Sequence, residues 1–315
     1  VRNNLLRAHV ALFIVALIYG GNYSVAKVVL DDDYLHPMAF ISLRVLAGSL
    51  AFSLLHGWWV KQRVYREDIG RLLLCGLFGV ALNQSLFFIG LDYTTPINAS
   101  LIMTMTPVLV LIASALLLNE SIHWKKVAGI IFGMAGAVIL VMYGKKFAFN
   151  KYGWLGDLLV LINASSYGLY LVLVKPLLKR YHPLTVVKWV FLIGSIGVLP
   201  FGIPQLKQTA WQTFTLHVWL AIAYVLCCTT VLAYLLNVWA MRSVTPTVVG
   251  IYVYLQPVLA TAIALMLGKD LLAWPKVVAG ILIFLGVWLV SMPTPTQQPL
   301  TWTGLALYKK LKRKK

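Results

Sequence analysis

Acid is what this chain has least of: nine Asp and Glu among 315 residues, against 27 Lys and Arg. Charged residues total only 11%, where a soluble domain carries roughly a quarter, so a water-soluble globular fold is excluded. Cysteine is equally sparse. Cys75 and the adjacent pair Cys227-Cys228 offer neither a C-x-x-C metal spacing nor a disulfide framework, and read as small packing residues. No H-E-x-x-H is present, and Asp157 has no second aspartate to form an intramembrane dyad. His9, His36, His56, His123, His182 and His217 fall at or near the ends of hydrophobic runs, so no Ser is expected to have a His at its own depth. A membrane-embedded enzyme is therefore the weakest reading, and neither metal nor cofactor is expected. Nor does a carboxylate lie at the middle of a run: Asp92, Glu120 and Asp270 stand at ends, and Asp157 about one turn into the sixth. Proton antiport usually needs a buried acid of raised pKa. Asp157 is the one candidate, and stabilisation of a helix N-terminus explains it more simply. Facilitated diffusion or exchange is at least as well supported.

What the chain has in abundance is hydrophobic length. Apolar residues make up 60% and mean hydropathy is +0.84. Ten runs of about 20 residues can be placed at 9–30, 37–60, 69–91, 95–118, 122–143, 153–175, 184–203, 214–240, 244–267 and 273–292. Each is long enough to cross a hydrocarbon core of about 30 Å as a helix, and too long and continuous for barrel strands. The first run is too long for a signal peptide and contains Asn22 and Lys27, so it reads as a retained helix.

The runs repeat. Ile97–Val141 aligns without gaps on Thr247–Ser291 at an offset of 150, superposing Pro107-Val108-Leu109 on Pro257-Val258-Leu259, Trp124 on Trp274 and Gly136 on Gly286. Tyr19-Gly20 and Lys27 match Tyr167-Gly168 and Lys175 at an offset of 148. The expected organisation is a five-helix repeat over 9–143, a second over 153–292, and a basic tail over 293–315. Five is odd, so the second repeat must enter the membrane in the opposite sense. That inverted arrangement is typical of carriers that hold substrate between their halves.

With both ends inside, the inner segments collect 18 cations and the outer ones 6. The positive-inside rule thus predicts cytoplasmic termini and a multi-pass protein of the inner (plasma) membrane. The tail cations Lys309–Lys315 suit an anionic inner leaflet better than nucleic acid. The expected partners are a small-molecule substrate and that bilayer, and a monomer is expected.

Polar groups at membrane depth are costly unless they face a wet interior, so they mark the candidate site. The residues assigned to substrate are Tyr19, Asn22, Asn83, Gln84, Phe87, Thr106, Tyr167, Tyr234, Asn237, Tyr252 and Gln256. Pro107 and Pro257 remove a backbone donor near mid-span in the fourth and ninth runs, freeing the carbonyls of Met103 and Val253 and letting the helices bend. Lys27 can snorkel outward or pair with Asp31–Asp33, or, like Arg44, attract a substrate carboxylate. Gly129, Gly133 and Gly136, with Gly280 and Gly286, stand at small-residue spacing for helix packing. Trp58, Trp59, Trp154, Trp211 and Trp302 are assigned to the membrane interface.

The pattern resembles the EamA-type members of the drug/metabolite transporter superfamily. The resemblance rests on Tyr19-Gly20-Gly21-Asn22 with Lys27, Arg44-Val45-Leu46-Ala47-Gly48, Asn83 to Phe88, Gly90 to Thr94, Thr106-Pro107 and Asn119-Glu120. In the second half the last corner reads Gly268-Lys269-Asp270. The resemblance covers about residues 9–292. It implies an all-α, ten-helix inverted-repeat fold and export of small metabolites such as amino acids by alternating access. Lipophilic drug efflux is the alternative within the same fold.

Overall fold

The computed structural model describes residues 2–30, 34–94, 96–143, 153–266, 268, 271 and 273–292. The tail, Asp31–Asp33, Lys269, Asp270 and Trp302 lie outside them. Among the described residues the secondary structure is entirely helical, and ten helical segments are long and apolar enough to cross a membrane.

Helix α1 is Arg2–Leu30 and α2 is Pro37–Trp59. Helix α3 comprises Arg66–Gly76, a π-helical stretch Leu77–Ala81, and Leu82–Tyr93. Helix α4 is Pro96–Met103, then Thr106–Leu118. Helix α5 is Trp124–Met142, α6 is Gly153–Leu177 and α7 is Pro183–Gln208. Helix α8 comprises Leu216–Tyr224, a second π stretch Val225–Leu232, and Ala233–Ala240. Helix α9 is Pro246–Ile251, a 3₁₀ turn Tyr252–Tyr254, and Leu255–Met266, and α10 is Trp274–Ser291.

The irregularities follow the repeat. The π stretch of α3 and that of α8 fall at matching positions. So do the interruptions of α4 and α9, each just before its proline. Those prolines cannot donate within the helix, and the chain tightens there, with Thr104 N–H on the Leu101 carbonyl at 3.1 Å. The Tyr254 hydroxyl donates to the Thr104 carbonyl at 2.6 Å; these two positions are repeat equivalents, so the two interruptions meet each other. The corners after α4 and α9 also correspond, with Asn119 (φ 54°) and Gly268 (φ +66°) in the left-handed region that terminates helices.

Packing obeys the same exchange of halves. Helix α1 lies against α8 and α9, and α6 against α3 and α4, while α2 pairs with α7 and α5 with α10. The α5–α10 seam works because its glycines have no side chain. A Cβ on Gly286 would stand 2.5 Å from the Gly129 carbonyl oxygen, and one on Gly136 would stand 2.6 Å from that of Ala279. These two contacts interchange when the repeats are swapped. Gly280 departs from the expectation: nothing approaches its Cβ position within 4 Å. Ala279, one residue earlier, occupies the seam instead.

The exterior is apolar. Leu116 and Ile196 are each 75% exposed, whereas Ser49 and Ser195 share a hydrogen bond of 2.8 Å in the interior. Such inversion suits a lipid environment, where side chains facing outward meet hydrocarbon. Trp58, Trp59 and Trp154 are exposed, as interfacial residues are. Trp211 instead joins Phe214 and Trp219 in an aromatic cluster.

Candidate functional site

The polar belt is built where α1, α2, α3, α6 and α8 converge, and the two π stretches organise it. An i→i+5 turn displaces backbone carbonyls from the regular ladder, and side-chain hydroxyls take them up. In α3 the Ser166 hydroxyl donates to the Phe78 carbonyl at 2.8 Å, and that of Tyr234 reaches the Gly79 carbonyl at 3.5 Å. In α8 the Val225 carbonyl accepts from Thr229 and Thr230 at 2.7 and 3.0 Å. The Thr229 carbonyl accepts from the Tyr19 hydroxyl at 3.4 Å.

On this frame the halves touch through polar side chains. Arg44 Nε donates to Thr230 Oγ1 at 3.1 Å. Gln84 Nε2 donates to the Tyr234 hydroxyl at 3.4 Å, a pair at identical positions of the two repeats. The ring of Tyr234 stands edge-on to Phe191, with centroids 4.8 Å apart. Tyr19, Tyr167 and Tyr234 lie near one another, and Arg44 lies near Tyr19 and Tyr234. Asn163 donates to the Asn83 carbonyl. Several buried acceptors have no donor: Asn22 Oδ1, Gln84 Oε1 and Asn163 Oδ1, together with the hydroxyls of Thr106 and Tyr170. A buried unpaired polar atom costs about 1–3 kcal/mol, so these oxygens favour any donor that enters.

The remaining candidates sit around or away from this belt. Thr106 and Pro107 are buried at the α4 interruption. Asn237 is buried beyond Tyr234. Gln256 and Pro257 are half-buried, and the Gln256 carbonyl closes on Gly20 of α1. Phe87 makes an edge contact with Phe88 at 5.4 Å. Tyr252 lies apart, its hydroxyl 2.9 Å from His9 Nδ1. Lys27 lies in α1, with its side chain outside the described residues. Asp157 accepts from Thr94 Oγ1 at 2.5 Å and thereby pins α3 to α6.

Three features go beyond the residues assigned to substrate. Asn163, Thr229 and Thr230, polar residues at membrane depth in the sixth and eighth runs, also belong to the belt. The π stretches have no comparable sequence signal. A Ser–His contact does exist, contrary to expectation: Ser121 Oγ and His123 Nε2 are 2.9 Å apart. Both occupy the short exposed connector after α4, which lets two residues so near in sequence meet. Among the described residues, no group of three His, Cys, Asp or Glu is arranged to hold a metal.

The EamA-like transporter family model matches residues 6–142 and again 154–292. The chain belongs to that family, and is thus an integral, multi-pass membrane transporter. An uncharacterized transporter of Bacillus subtilis, YyaM, is 25% identical over 90% of this chain and 92% of its own length. A protein of Streptantibioticus cattleyicolor named "Probable terminal-alkyne amino-acid exporter" is 27% identical over 60% of this chain and 62% of its own. A solved crystal structure superposes with a TM-score of 0.75, covering 90% of this chain and 95% of its own at 20% identity. At that identity the likeness speaks to the fold.

Proposed function

We propose that this transporter exports small amphipathic metabolites of the amino-acid class by alternating access, its halves inverted and both termini cytoplasmic. The observation that carries the reading is the belt itself: the Arg44 guanidinium beside unpaired amide oxygens and the phenols of Tyr19, Tyr167 and Tyr234. A carboxylate finds the guanidinium, an ammonium finds the amide oxygens, and the aromatic rings take the apolar portion. The exporter named for an amino acid among the relatives adds support. Amides, phenols and a guanidinium suit reversible binding, which supports the carrier reading. Alternating access follows if the junctions joining the halves, Arg44–Thr230 and Gln84–Tyr234, separate in one state and close in the other. The interruptions of α4 and α9 supply the bending points.

Flux of amino acids, of their carboxyl-amides and of a lipophilic cation into proteoliposomes tests the proposal. Amino acids should move and the amides should not, with Arg44→Gln abolishing the difference. Movement of the lipophilic cation alone would replace this reading by drug efflux.

A further inference from the structure

A cavity of about 480 Å³ lies at one end of the bundle, where the connectors α2–α3, α6–α7 and α8–α9 meet. Its wall includes Gln62, Lys179, Arg180, Tyr181, His182 and Arg242. Three permanent cations therefore line it, and two acids, Asp68 and Glu67, act on Arg180. Asp68 is already committed: it is buried and accepts from Arg180 at 2.8 Å and from the Tyr181 hydroxyl at 2.7 Å. Gln62 is also spent on structure. Its Oε1 accepts from the His182 amide at 2.8 Å and from Thr185 Oγ1 at 3.0 Å, and its Nε2 donates to the Arg180 carbonyl. Among the described residues, Lys179 and Arg242 make no ion pair. Burial and the adjacent Arg242 hold the His182 imidazole below its ordinary pKa, as expected beside uncompensated positive charge.

Depth identifies the source of an anion suited to this wall. Trp58 and Trp59, 83% and 73% exposed, end α2 immediately before Val60 of the cavity wall. Exposed tryptophans at a span end mark the headgroup layer, where phosphate esters are concentrated. We propose that this cavity binds the phosphate of an anionic phospholipid headgroup, with Lys179 and Arg242 as its principal ligands. The bound lipid ties the α2–α3 connector of the first half to the two connectors of the second. This site is separate from the substrate belt, and the proposal stands whatever the belt carries.

The test is retention of phosphatidylglycerol against phosphatidylcholine by the purified full chain, read by native mass spectrometry and by lipid-dependent Tm. At roughly fivefold in affinity per cation, the double variant Lys179→Gln/Arg242→Gln should bind phosphatidylglycerol on the order of 30-fold more weakly. Phosphatidylcholine retention should not change. A chain ending at Met292, without the basic tail, should keep the preference; its loss there would overturn the proposal by assigning the lipid to the tail. Should the double variant fail to fold, Arg242→Gln alone must still weaken binding about fivefold. Equal retention by that single variant and wild type overturns the proposal. Displacement of the lipid by millimolar inorganic phosphate, with Tm raised as much by phosphate as by lipid, would overturn the lipid source in favour of a soluble phosphate.

Discussion

The Gln84–Tyr234 contact allows the belt's structural and functional roles to be separated by magnitude. Tyr234 is buried, and its hydroxyl makes two long contacts, 3.4 Å to Gln84 Nε2 and 3.5 Å to the Gly79 carbonyl. Such bonds belong at the lower end of the usual net range, about 0.5 kcal/mol each. Tyr234→Phe keeps the ring against Phe191 but leaves Gln84 without a partner on its nitrogen, when its Oε1 already has none. Stranding that amide should bring the total cost to about 1–2 kcal/mol. Gln84→Leu removes the stranded amide altogether and should cost less, near 0.5 kcal/mol. The double variant should then be more stable than Tyr234→Phe alone, a coupling of about 1 kcal/mol in a double-mutant cycle. Substrate binding should run the other way. If Gln84 Oε1 accepts from the substrate ammonium, Gln84→Leu lowers affinity about 10- to 100-fold despite its small effect on folding. Denaturation and equilibrium amino-acid binding on the same preparations read both quantities. Additive stability losses with unchanged binding would refute the reasoning and reduce the pair to packing.

The glycine seam predicts opposite outcomes for neighbouring substitutions. Gly286→Ala should destabilise by about 1–3 kcal/mol through overpacking, while Gly280→Ala, facing open space, should be neutral or gain up to about 1 kcal/mol of helix propensity; thermal unfolding in detergent distinguishes them. His182 Nδ1 accepts from the Leu184 amide at 3.3 Å and so caps α7. Its folded pKa is depressed by burial and by Arg242, so the unfolded chain binds the proton first. Stability should therefore fall as pH drops through the unfolded value near 6.5, and a Tm series from neutral to acid pH should show a shallower fall in His182→Gln. Asp157→Asn should leave substrate exchange between loaded vesicles largely intact, because Asp157 is bonded to Thr94 at the end of α6; lost exchange in folded protein would point to proton coupling.

Run length, the absence of mid-span acids and the offset of 150 made the ten helices and their paired interruptions readable, since proline and bilayer thickness act locally. Much of the belt was readable for a similar reason: an amide or phenol within an apolar run has few places to go. The partners were not. Arg44 meets Thr230 on the π stretch of α8 that packs against α2, a contact between residues 186 apart that no local preference announces. Gly280 shows the limit of spacing arguments, since a small residue at the right interval was displaced from the seam by one position. The repeat supplied the better guide, because Ala279 is the equivalent of Gly129.

Exact symmetry would make the two faces of the carrier interchangeable, and the corners after α4 and α9 show where this one departs from it. Both corners turn through a left-handed residue, and both place a lysine against the preceding backbone: Lys126 Nζ on the Ser121 carbonyl at 3.3 Å and Lys276 Nζ on that of Leu271 at 2.9 Å. At the first corner Lys126 also pairs with Glu120 at 2.7 Å, and Glu120 accepts from Thr247 of α9 at 3.2 Å. That bond joins the halves. Its repeat equivalent would need a hydroxyl at position 97, where the chain has Ile97, so that particular hydrogen bond has no counterpart donor. A charge-assisted hydrogen bond between the halves is worth about 1.5–3 kcal/mol, which is enough to bias a two-state equilibrium by more than tenfold toward closure at the α4–α5 end. Sequence divergence at one position thus gives the duplicated scaffold unequal corners, a preference in resting state that leaves the direction of net flux to the gradients across the membrane.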